Sequence, residues 1–399
     1  MSNLSKLVLA LVFALGLVMA NTAKAEDEQK DVEGLLRMFE SINVGFYLDS
    51  SYAYDFNEPD SGIIGARSLY PDDNDFNFNA FTLTLEKTPS VEDGLIDRIG
   101  FRTDILFGQQ AEFLNPQGLD SDTVSPYQAY IDVMPVEGLD IYFGQFVTLA
   151  GFEVIEAKND PNISRSILFG YAIPFTHTGV RAKYATGPFS AVLGVNNGWD
   201  TLDDSNDGKT IESQLGLSGS TDKIDASIYA TGYFGKENDD FDNDEWRELL
   251  TLVGSLGFGP VTLYADLDFG WQDNVQVNDV GDTINAFWWG IAGYIVYDVH
   301  PAITLSLRGE YFDDGDGFRN PAGTEPGSLG TNYWEITPTV SFKPFKGKAN
   351  SELTEYLDNF EFRVEYRYDS ADEPVFEDEN GFKDSQNTIM AQALYWINL

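Results

Sequence analysis

Residues Phe360 to Asp369 read FEFRVEYRYD. Phe360, Phe362, Val364, Tyr366 and Tyr368 share one parity, and Glu361, Arg363, Glu365, Arg367 and Asp369 share the other. A period of two is that of a β-strand, whose successive side chains point to opposite faces. The segregation is complete, with every charge on one face. An arginine facing lipid at mid-membrane costs about 2–4 kcal/mol, so a strand with one face in a bilayer keeps its charges off that face.

The same pattern recurs along the chain. Ile42, Val44, Phe46, Leu48, Tyr52, Tyr54 and Phe56 oppose Asn43, Gly45, Tyr47, Asp49, Ser51 and Asp55. Ile99, Phe101, Ile105 and Phe107 oppose Arg98, Arg102 and Asp104, and Val261, Leu263, Ala265, Leu267 and Phe269 oppose Thr262, Tyr264, Asp266 and Asp268. The reading gives about sixteen strands, near 42–56, 75–87, 98–108, 126–135, 138–148, 175–186, 188–197 and 210–219, then 223–235, 246–257, 260–270, 284–297, 302–312, 332–343, 359–369 and 386–399. An even count is expected of a closed bacterial barrel.

Linker lengths carry a second signal. Short ones, such as Pro135 to Gly138, Ala185 to Pro188, Gly257 to Pro260 and Asp298 to Pro301, alternate with long acidic ones, such as Asn57 to Asn74, Gln272 to Thr283 and Asp313 to Gly330. Short periplasmic turns and long outer loops produce this asymmetry. Lys87 to Asp97 and Lys343 to Asn359 are long for periplasmic turns. A soluble sandwich or propeller would also alternate, but its strands average about five or six residues, and no blade-length repeat is visible.

The N-terminus reads as a signal peptide over residues 1–25: Lys6, an apolar run from Leu7 to Ala20, and the small-x-small site Ala23-Lys24-Ala25 before Glu26. That run is too short to span a bilayer as a helix. Residues 26–41 form a short segment for the periplasm or for plugging the lumen, in which Asp31 to Ser41 is predicted to be helical, and the barrel occupies 42–399. The chain has no cysteine, so thiol metal sites and disulfides are excluded. A net charge of −41 disfavours nucleic acid, which requires clustered lysine and arginine. The 14% aromatic content argues against a disordered acidic chain.

Chemistry-bearing motifs are few. His177 and His300 are the two histidines, far apart in sequence, which points away from a histidine metal site. His177 lies on the polar parity of its strand and reads as a lumen or rim residue. The acidic runs Asp239 to Asp244 and Asp313 to Gly317 lack the ligand spacing of a calcium loop and read as solvated surface, with cation bridging to lipopolysaccharide as a secondary role. Trp288, Trp289, Trp334 and Trp396 fit aromatic girdles. No catalytic, cofactor or metal residue is expected, and the chain does not read as an enzyme.

The long connection Ala150 to Pro174 (AGFEVIEAKNDPNISRSILFGYAIP) follows the fifth strand. If it folds inward, as the equivalent loop of sixteen-stranded porins does, Glu153, Glu156, Lys158, Asp160 and Arg165 become constriction candidates. Opposite them stand the wall residues Arg98, Arg102, Arg181, Lys183, Arg308, Arg363 and Arg367. Facing acidic and basic arcs would orient polar solutes in a transverse field.

Gly151 to Tyr184 (GFEVIEAKNDPNISRSILFGYAIPFTHTGVRAKY) resembles the hallmark of the β-barrel porin family described as OmpL-like. FNFNAFTLTLEK from Phe76, IGFRTDILFG from Ile99 and YFGQF from Tyr142 support the likeness in the same order. The resemblance implies an outer-membrane barrel with pore activity. The reading is therefore an all-β transmembrane barrel of about sixteen strands, passing small hydrophilic solutes or ions without a cofactor. Its expected partners are outer-membrane lipid, lipopolysaccharide and the barrel-assembly machinery, the last through the C-terminal strand Gln386 to Leu399. The alternative is a structural or surface-interaction barrel with a blocked lumen.

Overall fold

The computed structural model describes residues 41–92, 94–119, 121, 123–204, 208–238, 244–276, 283–321, 330–347 and 356–399. The predicted signal peptide and the predicted helix from Asp31 lie outside them, apart from Ser41, which is a turn.

The first strands are β1 (Asn43–Asp55), β2 (Asp75–Lys87), β3 (Ile99–Phe107), β4 (Val124–Val136) and β5 (Leu139–Val147). There follow β6 (Thr176–Thr186), β7 (Phe189–Asn196), β8 (Thr210–Ser220), β9 (Asp225–Asn238) and β10 (Asp244–Phe258). The remainder are β11 (Val261–Gln276), β12 (Thr283–His300), β13 (Ile303–Asp314), β14 (Thr331–Phe342), β15 (Phe360–Ala371), β16 (Phe376–Asp378), β17 (Gly381–Lys383) and β18 (Ser385–Asn398). β16 and β17 make a hairpin inside the last long loop. The other sixteen close into one antiparallel barrel in which β18 pairs with both β15 and β1. Closure gives every strand a partner on both sides, which is how a sheet satisfies its backbone in hydrocarbon.

Parity sorts the two faces as the sequence predicts. On β15, Phe362, Val364 and Tyr366 are exposed, whereas Glu361, Arg363, Glu365 and Arg367 are buried in the interior. Leu193, Leu215, Ile291, Ile295, Leu307, Ile336 and Val340 extend the apolar exterior around the barrel. The polarity is inverted relative to a soluble protein, as lipid requires.

The interior also holds an apolar core, supplied mainly by inturned loops. Ile64, Leu69 and Tyr70 of loop 57–74, Ala111 and Leu114 of the short helix α1 (Gln110–Leu114), and Ile163, Ile167, Leu168, Phe169 and Ile173 of loop 150–174 are all buried together. Wall glycine admits part of it. A Cβ on Gly270 would lie 1.9 Å from Cε2 of Trp288, so the indole lies across that strand only because the side chain is missing.

Candidate functional site

Loop 150–174 crosses the lumen and reaches strands from β11 round to β1. It contains a short 3-10 turn (Ala157–Asn159) and a π-helical turn (Leu168–Ala172), and otherwise has irregular backbone. Such backbone survives at membrane depth only where protein groups satisfy its amides and carbonyls. The wall supplies both kinds of partner.

Wall carboxylates take the loop amides. Ile163 N and Ser164 N donate to the two carboxylate oxygens of Glu365, at 2.6 and 3.0 Å. Ile167 N and Leu168 N donate to Glu310, at 2.8 and 2.6 Å. Phe152 N donates to Asp266 at 2.8 Å, and Ala157 N to the Tyr47 hydroxyl at 3.1 Å. Wall arginines take the carbonyls. Arg363 Nη1 donates to the oxygens of Ala157 (2.9 Å) and Asn162 (3.2 Å), Arg367 Nη1 to that of Arg165 (2.7 Å), and Arg308 Nη1 to that of Ser164 (2.6 Å).

The predicted constriction residues are brought together here in large part. Glu153 is buried and bridges loop and wall: Oε1 accepts from Arg308 at 2.8 Å, and Oε2 from the amide of Ser166 at 2.6 Å. Asp160 pairs with Arg165 at 3.0 Å and Glu156 with Lys158 at 2.6 Å, both pairs within the loop. Wall arginines pair with wall carboxylates as well: Arg308 with Glu335 at 2.7 Å, Arg363 with Glu361 at 2.7 Å, Arg367 with Asp369 at 2.7 Å, and Arg181 with Glu212 at 2.6 Å. The expected opposed arcs are therefore replaced by local ion pairs, because a buried charge without a partner is far costlier than one beside its counterion.

Arg181 bonds Glu212 and the Val147 carbonyl instead of the loop, and three further candidates also stand apart from it. Arg98 lies at the short-turn end and donates to the carbonyl of Pro135. Arg102 pairs with Asp104 (2.7 Å) and Glu86 (3.4 Å) on the wall of β2 and β3. Lys183 faces Asp140 from the neighbouring strand and is exposed. Glu310, Glu365 and Asp266 were not singled out in the sequence, although each lies on the polar parity of its strand. Basic wall residues opposite an acidic loop are legible from charge alone, whereas the need of loop amides for acceptors shows only once the loop lies against the wall.

A second loop folds in beside the first. Arg67 of loop 57–74 donates to Asp369 at 2.9 Å and to Thr388 at 3.0 Å, and the Tyr171 hydroxyl donates to the carbonyl of Arg67 at 3.3 Å. Asp49 of β1 accepts from Tyr70 (2.8 Å), Tyr47 (3.1 Å), Asn79 (2.9 Å) and Gln392 (3.0 Å), which ties that loop to three strands. Every one of the sixteen barrel strands contributes at least one buried inward side chain, among them Thr82, Asp104, Phe146, Glu212, Thr251 and Thr337. Together the two loops and these wall residues pack much of the barrel interior.

Residues 41–396 match the family described as "Putative beta-barrel porin-2, OmpL-like". The chain belongs to that family. Its fold is that of outer-membrane channels, and its place is the outer membrane. The OmpL-like barrel is similar to the outer membrane channel DcaP of Acinetobacter baumannii at 14% identity, covering 89% of this chain and 97% of that one, with a TM-score of 0.55. It is similar to the trimer form of OmpT, an outer membrane protein of Vibrio cholerae, at 12% identity, covering 89% and 99%, with a TM-score of 0.55. At these identities the likeness is one of fold. No curated protein matches the chain by sequence.

Proposed function

We propose that the OmpL-like barrel is a passive diffusion channel for small hydrophilic solutes or ions, with its aperture set by loop 150–174. The observation that carries this is the manner in which the loop is held. Its backbone is bound by side chains of the wall through Glu310, Glu365, Arg308, Arg363 and Arg367, so it can be drawn aside without breaking any strand ladder. A barrel of this width encloses an aqueous lumen once the loop moves. Lipopolysaccharide at the acidic outer loops and the assembly machinery at β18 are its proposed partners.

We also propose that it is not an enzyme. His177 is fully enclosed, stacked on Tyr233 with ring centroids 4.6 Å apart, and its two ring nitrogens meet the Gly198 carbonyl and the Thr148 hydroxyl at 2.9 and 3.3 Å. That placement supports a packing role.

The packing of two loops inside the barrel also favours a second reading, an interaction barrel that never conducts. Single-channel recording in a planar bilayer separates the two, using the native chain and a variant with residues 152–166 replaced by a short Gly-Ser linker. The channel reading expects openings in the native chain and several-fold larger conductance in the variant. A native barrel that never opens would leave the interaction reading in front.

A further inference from the structure

At the long-loop end the wall has a cleft. β2 pairs with β3 only from Phe81 to Lys87, so Asp75 to Ala80 are laddered to β1 alone. The floor of the cleft is a close backbone contact: Gln109 N donates to the Phe78 carbonyl at 3.2 Å. Gly108, at φ +136°, allows it, because a Cβ there would lie 2.5 Å from the Asn79 carbonyl oxygen. Above that floor, loop 57–74, α1 and the free edge of β2 border an open-sided cavity of about 930 Å³.

Several polar groups lining the cleft have no protein partner. Gln110 is 2% exposed, and its side-chain amide makes no well-formed hydrogen bond beyond a loose contact with Tyr70. It sits near the Tyr70 hydroxyl, which is already engaged by Asp49 and Gln392. Asn77 Oδ1 and Ser68 Oγ, on residues 5% and 6% exposed, are likewise without partners. Leaving buried polar atoms unbonded is costly, and here three separate segments do so around one space. At its outer side the cleft is flanked by Phe76 and Phe78, both exposed, and by Phe113.

We propose that this cleft binds a neutral sugar unit. A carboxamide offers a donor and an acceptor side by side, which matches adjacent hydroxyls, and aromatic rings pack on the C–H faces of a pyranose. An anionic ligand fits less well. The one cation lining the cleft, Arg67, is committed to Asp369, and Asp72 and Glu112 add negative charge.

The test is saturation-transfer NMR on the purified barrel in an amine-oxide detergent, which brings no sugar of its own. Sucrose probes a free solute, dodecyl maltoside a lipid-borne sugar, and glucuronate the charge preference. Saturable binding of sucrose, of the maltoside or of both is expected, with glucuronate at least tenfold weaker, and the responding probe identifies the source. Gln110→Leu is expected to weaken binding at least tenfold while its thermal midpoint stays equal or rises, since it removes unpaired polar atoms; a purely structural glutamine would lower that midpoint. No saturable binding of either neutral probe, equal binding of glucuronate, or unchanged binding by Gln110→Leu would overturn the proposal. No current is read, so the outcome is independent of whether the barrel conducts.

Discussion

Arg308 shows how much one side chain can hold. It is fully buried and bonds Glu153 of the loop, Glu335 of the neighbouring strand and the Ser164 carbonyl. Arg308→Met leaves Glu153 without its counterion and Glu335 with only Arg367, 3.7 Å away, and breaking a buried pair in this way costs about 3–5 kcal/mol. The expected outcome is a lower urea midpoint and more frequent channel openings; an unchanged midpoint would mean that the pair does not anchor the loop. Asp200, in the loop after β7, accepts from the amides of Phe175 and Thr176, both at 2.8 Å. Burial raises its pKa from 3.8 to about 6, against the pull of those amides and of Arg319. A raised pKa means that the folded state holds the proton more tightly than the unfolded chain, so the stability contribution is fully present below pH 4 and is lost as pH rises through about 6. Asn keeps the acceptor oxygen and tolerates the φ of 50° found there. Asp200→Asn should therefore flatten the melting midpoint between pH 4 and 6 and raise it at pH 7, as thermal unfolding across that range would show.

At the scale of the element, β15 displays why strands were legible. Its outward and inward residues separate by parity because lipid and lumen make opposite demands on alternate positions. Val364 is 54% exposed on the outer face. Val364→Arg should cost about 2–4 kcal/mol if that face is in hydrocarbon. Urea unfolding in lipid vesicles measures it, and a cost near zero would place the position outside the membrane. Loop 150–174 had no such periodic signal. Its buried Ile163, Ile167 and Leu168 belong to a core shared with other loops and with the wall, and its irregular backbone finds partners on strands more than a hundred residues away.

For the whole molecule, the ladders and the plug are separable. The sixteen strands close through backbone bonds alone, whereas the lumen is filled by side-chain contacts from two loops. Replacing residues 152–166 should accordingly leave a folded barrel with several-fold greater conductance; failure to fold would show that plug and wall form one cooperative unit. The sequence by itself determined the strand positions, the closed antiparallel class and the inside-out polarity, because each follows from local alternation and from linker length. Tertiary structure alone decided that the loop charges meet in pairs, that Glu310 and Glu365 hold loop amides, and that β2 leaves a cleft beside α1. These depend on which side chains converge across the lumen, and convergence between distant segments leaves no periodic trace in the chain.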